Sequence, residues 1–405
     1  MKKKITISTM VTLIILTAAV TISVTMLVAM RLFNRQVQSV AQRQAMYTHI
    51  DDVDKKVREY YSDIDEERLR QCITEGYVNG IGDSYAAYFT AEEYVAEQQR
   101  LAGKANDVGL AVCKSTSGRM MVSEVRTDSP ADKSGLKKTD VITAVDGEEI
   151  TSATSAAELQ AKLDAADKVL LTVERDGAPV AFELSASPYT LRSVQSSLDG
   201  SIGYVKVTAF YENTPEQFKA AVSSLVQQGA TGLIFDMRGN RGGSREAAEK
   251  VIGYLVPLGQ YGCETDRNGV VSNLVSDQSN QLSISTVTLV NAETAGEAEF
   301  FAGVLQEMSL TTVVGDITAG KAKFQAYYTL ESDSSAIKLT VGEYSRLKNG
   351  SWEGTGIQPD SVVTLSADMQ AVAPLLEQDK DPQYLAGVAQ FPGNAVNAAS
   401  TTAAK

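Results

Sequence analysis

The chain has 405 residues, which is long enough for two or three domains with cores of their own. Hydrophobic residues make up 43% and charged residues 21%, values typical of globular proteins, which argues against wholesale disorder. The net charge is −13, and the basic residues of the N-terminal segment, 1–35, leave the remainder more acidic still. Nucleic acid is therefore excluded as a partner, because phosphate binding needs clustered Lys and Arg.

Histidine and cysteine content limit the chemistry further. The single histidine, His49, follows closely on the apolar N-terminal stretch. Because Ser-His-Asp triads, Cys-His pairs and multi-histidine metal sites need histidine in the domain core, a hydrolase here would use a Lys or carboxylate base. Cys72, Cys113 and Cys263 lie far apart, and we predict buried free thiols, with a pairing of any two left open. No metal or cofactor is expected.

The N-terminus predicts a membrane anchor. Residues 5–30 are uncharged, and this stretch exceeds the roughly 20 residues needed to cross a bilayer. Three lysines precede it, which by the positive-inside tendency places the N-terminus in the cytoplasm and the main body outside the cytoplasmic membrane. A cleaved signal peptide is the alternative, but the nearest small-x-small site, Ser39-Val40-Ala41, comes late. We predict an uncleaved single-pass anchor within residues 1–35.

Residues 36–104 are predicted to form a helical arm. Charged and periodic residues over 51–70 continue at helical spacing until Ile81-Gly82-Asp83-Ser84 breaks the helix. Thr90-Ala91-Glu92-Glu93 has the capping-box pattern of a second helix start. The alternative to a functional role is an arm that only packs.

Residues 105–187 consist of short β-rich runs separated by turns. A helix is predicted at 156–163 and a tight turn at Asp146-Gly147. The predicted strands lie at 108–112, 120–122, 141–145 and 169–173.

Three short motifs in this region resemble a PDZ domain of the bacterial protease type. They are Ser129-Pro130-Ala131, Ser134-Gly135-Leu136 and residues 140–147, with Thr139 where that family usually has glycine. The resemblance implies that a peptide strand adds to an open sheet edge while Val108, Gly109 and Leu110 capture its terminal carboxylate. A β-rich linker domain that binds nothing is the alternative.

Residues 188–375 alternate strands and helices, which predicts an α/β layer fold. The polar residues 376–405 form a C-terminal segment, whose tail from 394 is predicted to be disordered. The fold class predicted for the whole chain is therefore multidomain, α+β and α/β. The predicted strands of this domain are 202–207, 232–236 and 287–290, and its predicted helices are 214–228 and 297–308.

Three stretches of this last domain together resemble the peptidase family S41. Residues 236–243, D-M-R-G-N-R-G-G, correspond to a usual D-L-R-x-N-P-G-G, in which glycines let the backbone approach a substrate. Residues 294–299, T-A-G-E-A-E, correspond to T-A-S-A-S-E on a strand-to-helix turn. Residues 315–325, G-D-I-T-A-G-K-A-K-F-Q, correspond to G-E-x-T-x-G-K-G-x-x-Q.

The resemblance implies a role for each matching residue. Lys321 stands at the position of the general base, and Gln325, one helical turn on, at that of the residue that orients it. Gly242 and Gly243 stand where backbone N–H groups form the oxyanion hole. A lysine works as a base only if its pKa is lowered toward neutrality.

The nucleophile is missing from this pattern. The family's serine maps to Gly296, and no serine lies between Ser285 and Ser309. Covalent acyl transfer needs an attacking atom, which glycine lacks. Glu297 replaces the neighbouring alanine. If it lies near Lys321 it would pair with the ammonium, and the plainer explanation is a capping box Thr294-x-x-Glu297 at a helix N-terminus.

These observations favour a membrane-anchored pseudopeptidase that binds extracytoplasmic polypeptide C-termini, or a partner protease, without cutting. One alternative is a peptidase active by a non-standard route, such as Glu297 activating water. Another is a non-catalytic envelope scaffold. Homo-oligomerisation is left open.

Overall fold

The computed structural model describes residues 7–277 and 284–392. The tail from 394 that was predicted to be disordered lies outside the described residues. The chain divides into two compact units, Met1–Thr74 and Glu75–Lys405, which are described separately.

The first unit is dominated by the long helix α1, Ile7–Tyr60. Its segment Met10–Asn34 is long and apolar enough to cross a membrane, with a mean hydropathy of 2.4, and a signal sequence would have the same character. The prediction of one continuous helix over 51–70 is wrong, because α1 ends and α2, Glu66–Asn79, begins after a break. Asp65 Oδ1 accepts the Arg68 N–H at 3.0 Å and so caps the start of α2.

The second unit contains the remaining elements. Its helices are α3 (Ala91–Leu101), α4 (Pro130–Ser134), α5 (Ala156–Asp164), α6 (Thr214–Gln227), α7 (Arg245–Leu255), α8 (Glu297–Glu307), α9 (Ala367–Val372) and α10 (Pro382–Val388). Its strands are β1 (Ala87–Phe89), β2 (Lys104–Asp107), β3 (Leu110–Lys114), β4 (Met120–Val125), β5 (Val141–Val145), β6 (Glu148–Glu149), β7 (Lys168–Arg175), β8 (Ala178–Ser185), β9 (Ser187–Thr190), β10 (Val194–Asp199), β11 (Ile202–Val207), β12 (Gly232–Asp236), β13 (Gly259–Asp266), β14 (Val271–Ser276), β15 (Ser285–Val290), β16 (Thr312–Gly315), β17 (Lys323–Thr329), β18 (Ala336–Ser345) and β19 (Ser361–Val362).

The arm is only partly helical. The capping box at the start of α3 is confirmed, since Thr90 Oγ1 accepts the Glu93 N–H and Glu93 accepts the Thr90 N–H at 2.9 Å. The short strand β1 was not predicted, and it pairs antiparallel with β18. The Tyr327 hydroxyl donates to Glu97 at 2.6 Å, which fastens α3 to β17. The part of the arm that lies in the second unit thus contributes a strand to a sheet of the peptidase-like domain.

The β-rich region forms a sheet in the order β3-β4-β5-β7-β8, with β6 paired to β5. The predicted strands and helix α5 are confirmed, and Leu159 and Leu163 of the helix pack into the core of this sheet. Asp146 and Gly147 have φ values of 54° and 82°, as a tight hairpin turn requires. Thr139 has φ 77°, a left-handed conformation that suits the glycine usual there and is strained for a β-branched residue.

A mainly parallel sheet in the order β10-β11-β12-β15-β16-β19 forms the centre of the α/β domain. Successive residues of β12 face opposite sides, so Leu233 and Phe235 pack with α6, α7 and α8, whereas Ile234 packs with α10. Burial on both faces explains why this strand is an unbroken apolar run in the sequence. The predicted strands and helices of this domain are confirmed.

A second sheet, β1-β18-β13-β14 with β17 paired to β18, was not predicted. It packs on α8 through aromatic rings, of which Phe300 and Tyr344 stack at 4.5 Å and Phe300 and Trp352 at 5.8 Å. Strand β17 begins only two residues after Lys321, so this sheet supports the third sequence motif.

The cysteines are free, as predicted, but they are not buried. Cys72 is exposed, and Cys113 and Cys263 are half-buried. The burial prediction is wrong because Cys72 lies on a charged and largely exposed helix, α2.

Candidate functional site

The three family motifs meet at one edge of the parallel sheet. They follow the carboxyl ends of β12, β15 and β16, which are neighbours in the sheet. Loops at the carboxyl ends of parallel strands are the usual place for ligand sites in such folds. Residues far apart in sequence are therefore brought into one site.

The turn between β15 and α8 holds Gly296. Its backbone has φ 63° and ψ −124°, a strained combination that glycine adopts without the cost a side chain would add. A Cβ at this position would have room, because its nearest neighbours would be Arg241 O at 3.7 Å and Lys321 Cδ at 3.9 Å. The turn thus has the shape and the space for a side chain that points at the lysine, but it has no such side chain.

The predicted capping box Thr294-x-x-Glu297 is wrong. Helix α8 begins at Glu297, and Gly296 is its N-cap. The buried Thr294 hydroxyl instead donates to Met237 O at 3.0 Å and accepts the Asn291 N–H at 3.0 Å, so it joins this turn to the glycine loop. The box fails because the turn contains two further residues before the helix starts.

Glu299 is the organising residue of the site, and its role was missed. This fully buried carboxylate accepts the Gly296 N–H at 3.0 Å and the Lys321 N–H at 2.8 Å. Its other oxygen accepts the Gly320 N–H at 2.7 Å and the Thr318 hydroxyl. It therefore fixes the turn at Gly296 relative to the loop at Lys321. A glutamate in the first turn of a buried apolar helix was the sequence feature that could have indicated this role.

In the glycine loop, the two N–H groups expected to form an oxyanion hole already have acceptors within the chain. The Gly242 N–H is already bonded to Asn240 Oδ1 at 2.8 Å, whereas the Gly243 N–H donates to Glu297 Oε2 at 3.1 Å. A Cβ on Gly242 would lie 2.1 Å from the same Glu297 oxygen. Gly242 is thus needed to admit a carboxylate of the chain itself, whereas a Cβ on Gly243 would lie 2.1 Å from Phe210 O.

The Glu297 carboxylate lies where the backbone N–H groups of Gly243 and of Glu297 itself can bind an anion. Its side chain is buried, and burial raises the pKa of Glu297 above its ordinary value. The Lys321 charge and the N–H groups of Glu297 and Gly243 act in the opposite direction and favour the ionised form. This arrangement resembles an oxyanion hole with an internal carboxylate in it.

Lys321 lies beside the site, but its partners are not those expected. Its ammonium lies 4.9 Å from the ring centre of Tyr85, a cation–π contact with the arm. Among the described residues it forms no ion pair, so the predicted pairing with Glu297 is limited to charge attraction at longer range.

Gln325 does not lie one helical turn beyond the lysine, because residues 323–329 form the strand β17. Its amide donates to Lys323 O at 3.1 Å and to Thr340 Oγ1 at 3.4 Å. The helix expected here is wrong because pairing with β18 extends this segment.

A polar cluster on α7 borders the site. Arg245 lies 3.2 Å from Glu249 and 3.2 Å from Glu264 on β13. Burial raises the pKa of Glu249 to about 7, with Arg245 opposing the shift and Glu264 adding to it. The described residues contain no group of three or more His, Cys, Asp or Glu side chains arranged to hold a metal ion.

The expected carboxylate loop of the β-rich region lies at the start of β3. Gly109 has φ 81°, and a Cβ there would lie 2.0 Å from Ser129 Cβ, so only glycine fits. Val108 O accepts the Ala131 N–H at 2.9 Å, which anchors the loop to α4. The loop is thus fixed against α4 at the end of the sheet edge.

Comparison with known proteins agrees with this geometry. Residues 201–363 match peptidase family S41, and residues 106–185 match a PDZ domain. The chain therefore contains a peptidase family S41 domain at residues 201–363 and a PDZ domain at residues 106–185.

Several curated relatives are named as C-terminal processing proteases. Carboxy-terminal processing protease CtpA of Bacillus subtilis is 28% identical over 336 residues, covering 81% of this chain and 70% of the relative. CtpB of the same organism is 27% identical, covering 80% and 68%. The carboxyl-terminal-processing protease of Synechocystis is 28% identical, covering 70% and 68%.

Solved structures give the same fold. The photosystem II D1 C-terminal processing protease matches with a TM-score of 0.50 and 25% identity, covering 79% of this chain and 90% of that one. A putative S41 protease from Bacteroides fragilis matches with a TM-score of 0.53 at 16% identity, covering 75% and 85%, a likeness in fold alone.

Proposed function

We propose that this protein binds the C-terminal ends of polypeptides outside the cytoplasm and does not cut them. The observation that carries the proposal is Gly296, which occupies the position of the nucleophile and offers no attacking atom. The relatives named above are proteases, and this chain retains their fold around a site that lacks the serine.

The Thr294 and Glu297 side chains are poor substitutes for a serine hydroxyl. The Thr294 hydroxyl is buried, donates to Met237 O and accepts the Asn291 N–H, so it is already engaged. Glu297 Oε2 accepts the Gly243 N–H, where it competes with the substrate carbonyl oxygen that this N–H group would otherwise polarise. The geometry therefore disfavours Glu297 as a base that activates water. Its Oε2 already occupies the N–H group that would polarise the substrate carbonyl for attack by that water.

Lys321 is a weak candidate for a base in this setting. Its ammonium is held over the Tyr85 ring, 4.9 Å from the ring centre, and not by any described residue of the site. A general base acts on the proton of a nucleophile, and Gly296 beside the lysine offers no hydroxyl to deprotonate.

We propose a division of labour between the regions. Residues 105–187 recognise the polypeptide terminus through Val108, Gly109 and Leu110, and residues 188–375 hold the chain that follows without reacting with it. Residues 5–30 anchor the protein with its N-terminus in the cytoplasm. N-terminal sequencing of the protein from membranes should find the anchor in place, and a mature start beyond Met30 would overturn that topology.

The binding proposal is tested with peptides that have apolar C-termini, added to the full-length protein in detergent. Free-acid peptides should bind, and C-terminal amidation should weaken them, because the loop would lose the carboxylate. A serine-reactive phosphonate should not label the protein. Binding that is insensitive to amidation would overturn terminal recognition, and labelling at the site would overturn the loss of the nucleophile.

A further inference from the structure

Strand β3 forms one edge of the PDZ sheet, and helix α5 packs beside it. Gly109 O accepts the Arg126 N–H at 2.9 Å on the β4 side. Because backbone polar groups alternate along an antiparallel strand, Leu110 and Val112 direct theirs away from β4 and toward the free edge. This edge is where an added peptide strand would form its hydrogen bonds.

The carboxamide of Gln160, on α5, is bonded to this edge. Its Oε1 accepts the Val112 N–H at 2.9 Å, and its Nε2 donates to Leu110 O at 3.1 Å. The same Nε2 donates to Asp164 Oδ1 at 2.9 Å, which holds the side chain along the helix. One amide that bonds a strand C=O and the N–H two residues later occupies two of the backbone groups that a neighbouring strand would bond.

We propose that Gln160 sets the length of ligand that the PDZ groove reads. Its amide takes the place of a peptide backbone on β3, so the groove captures a terminal residue and its carboxylate instead of an extended strand. Within the described part of the chain, none of the hydrogen bonds of Gln160 involves an N–H group of the loop Val108–Leu110. The carboxylate end of the groove is therefore left to the ligand.

This inference rests on the proposed function, since it assumes that polypeptide C-termini bind here. A longer peptide must first displace both hydrogen bonds of Gln160 before its own backbone can form the equivalent pair. The exchange is close to neutral, because one set of amide hydrogen bonds replaces another. Lengthening the peptide should therefore improve binding only when Gln160 is removed.

The test compares a two-residue with a six-residue peptide that share one apolar C-terminus, on the full-length protein in detergent. For wild type, the longer peptide should bind less than about threefold more tightly. For Gln160→Met and Gln160→Ala, extension should tighten Kd by about tenfold, or ~1.4 kcal/mol, as expected for freed backbone groups. Glu158→Ala, a change on the exposed side of α5, should behave as wild type.

Gln160→Met keeps the length and packing of the side chain but not its amide. It therefore still tests the role of the Gln160 amide if Gln160→Ala lowers Tm. An equal gain on extension in wild type and in both variants overturns the role of Gln160 while leaving terminal recognition standing. Failure of every variant to bind either peptide overturns the proposed function and this inference together.

Discussion

At the scale of single residues, two positions, Gly296 and Glu297, distinguish this site from the S41 pattern that it resembles. Gly296 keeps the backbone of a sharp strand-to-helix turn but has no side chain, and Glu297 supplies a carboxylate in the corner that a reacting carbonyl oxygen would enter. Glu299 holds the turn and the lysine loop together whether or not chemistry takes place. The hydrogen bonds that hold the site in shape therefore do not depend on a reactive side chain at position 296.

Replacing Gly296 by serine should destabilise the protein. The position has φ 63° and ψ −124°, and holding a residue with a side chain in such a region costs about 1–3 kcal/mol. Urea denaturation should show this loss. The matched control is Gly253→Ser, because Gly253 lies in α7 with no atom within 4 Å of its would-be Cβ and needs no positive φ. Equal stability of the two variants would contradict the strain argument.

Serine alone should restore little cleavage, since Glu297 would still occupy the Gly243 N–H and attract the charge of Lys321. Gly296→Ser combined with Glu297→Ala should cleave an unstructured protein weakly but measurably, because the nucleophile returns and the N–H groups become free. Adding Lys321→Ala should abolish that activity. Rescue by serine alone, at the level of the combined variant, would show that Glu297 is no obstacle.

Glu299→Ala should cost about 3 kcal/mol or more, because several buried donors would lose a charged acceptor at once. Glu293→Ala is the control, since Glu293 makes an exposed ion pair with Arg241 and should matter by less than about 1 kcal/mol. Chemical denaturation of both variants measures the difference. A loss for Glu299→Ala no larger than for the control would remove Glu299 from its organising role.

At the scale of elements, the sequence indicates regular segments well and sheet pairing poorly. The apolar run of β12 and the periodic helices α6 and α8 were predictable because each has a local pattern. Strand β1 was not, since its three residues are strand only through pairing with the distant β18. Likewise, nothing local at Gln325 distinguishes a strand from a helical turn. The PDZ turn at Asp146-Gly147 was predictable from its two residues alone.

The same limit applies to the site. The motifs that lead to Gly296, Lys321 and Gly243 were found from local matches. The contact of Lys321 with Tyr85 and the filling of the glycine loop by Glu297 were not, because they depend on the packing of segments remote in sequence. The ion pair expected between Glu297 and Lys321 is not formed. Glu297 instead accepts a hydrogen bond from the Gly243 backbone, a contact that no local sequence pattern indicates.

The junction between α7 and β13 predicts that the stability of the protein depends on pH. Burial raises the pKa of Glu249 to about 7 from its ordinary value of 4.5, so the folded state binds more protons than the unfolded state between these values. The contribution of this carboxyl is therefore full below about pH 4.5 and is lost as pH rises through about 7. Glu249→Gln cannot ionise and should gain stability relative to wild type from pH 5 to pH 8. Parallel stability curves for the two proteins over this range would contradict the assignment.

At the scale of the whole molecule, an S41 domain surrounds a turn that has Gly296 where the family resemblance places a serine. The S41 domain, the PDZ domain and the apolar N-terminal helix are the features that support the proposed binding of polypeptide ends at a membrane surface. Under that proposal, binding persists without cleavage because the PDZ domain is present and Gly296 offers no attacking atom.

The most direct test is to incubate the full-length protein in detergent with an unstructured protein that has an apolar C-terminus, and to follow the intact mass of that protein. We predict that the added protein binds and that its mass does not change, for wild type and for Lys321→Ala alike. Cleavage by wild type that disappears in Lys321→Ala would contradict the account, because it would show a working base and an attacking group where we find none.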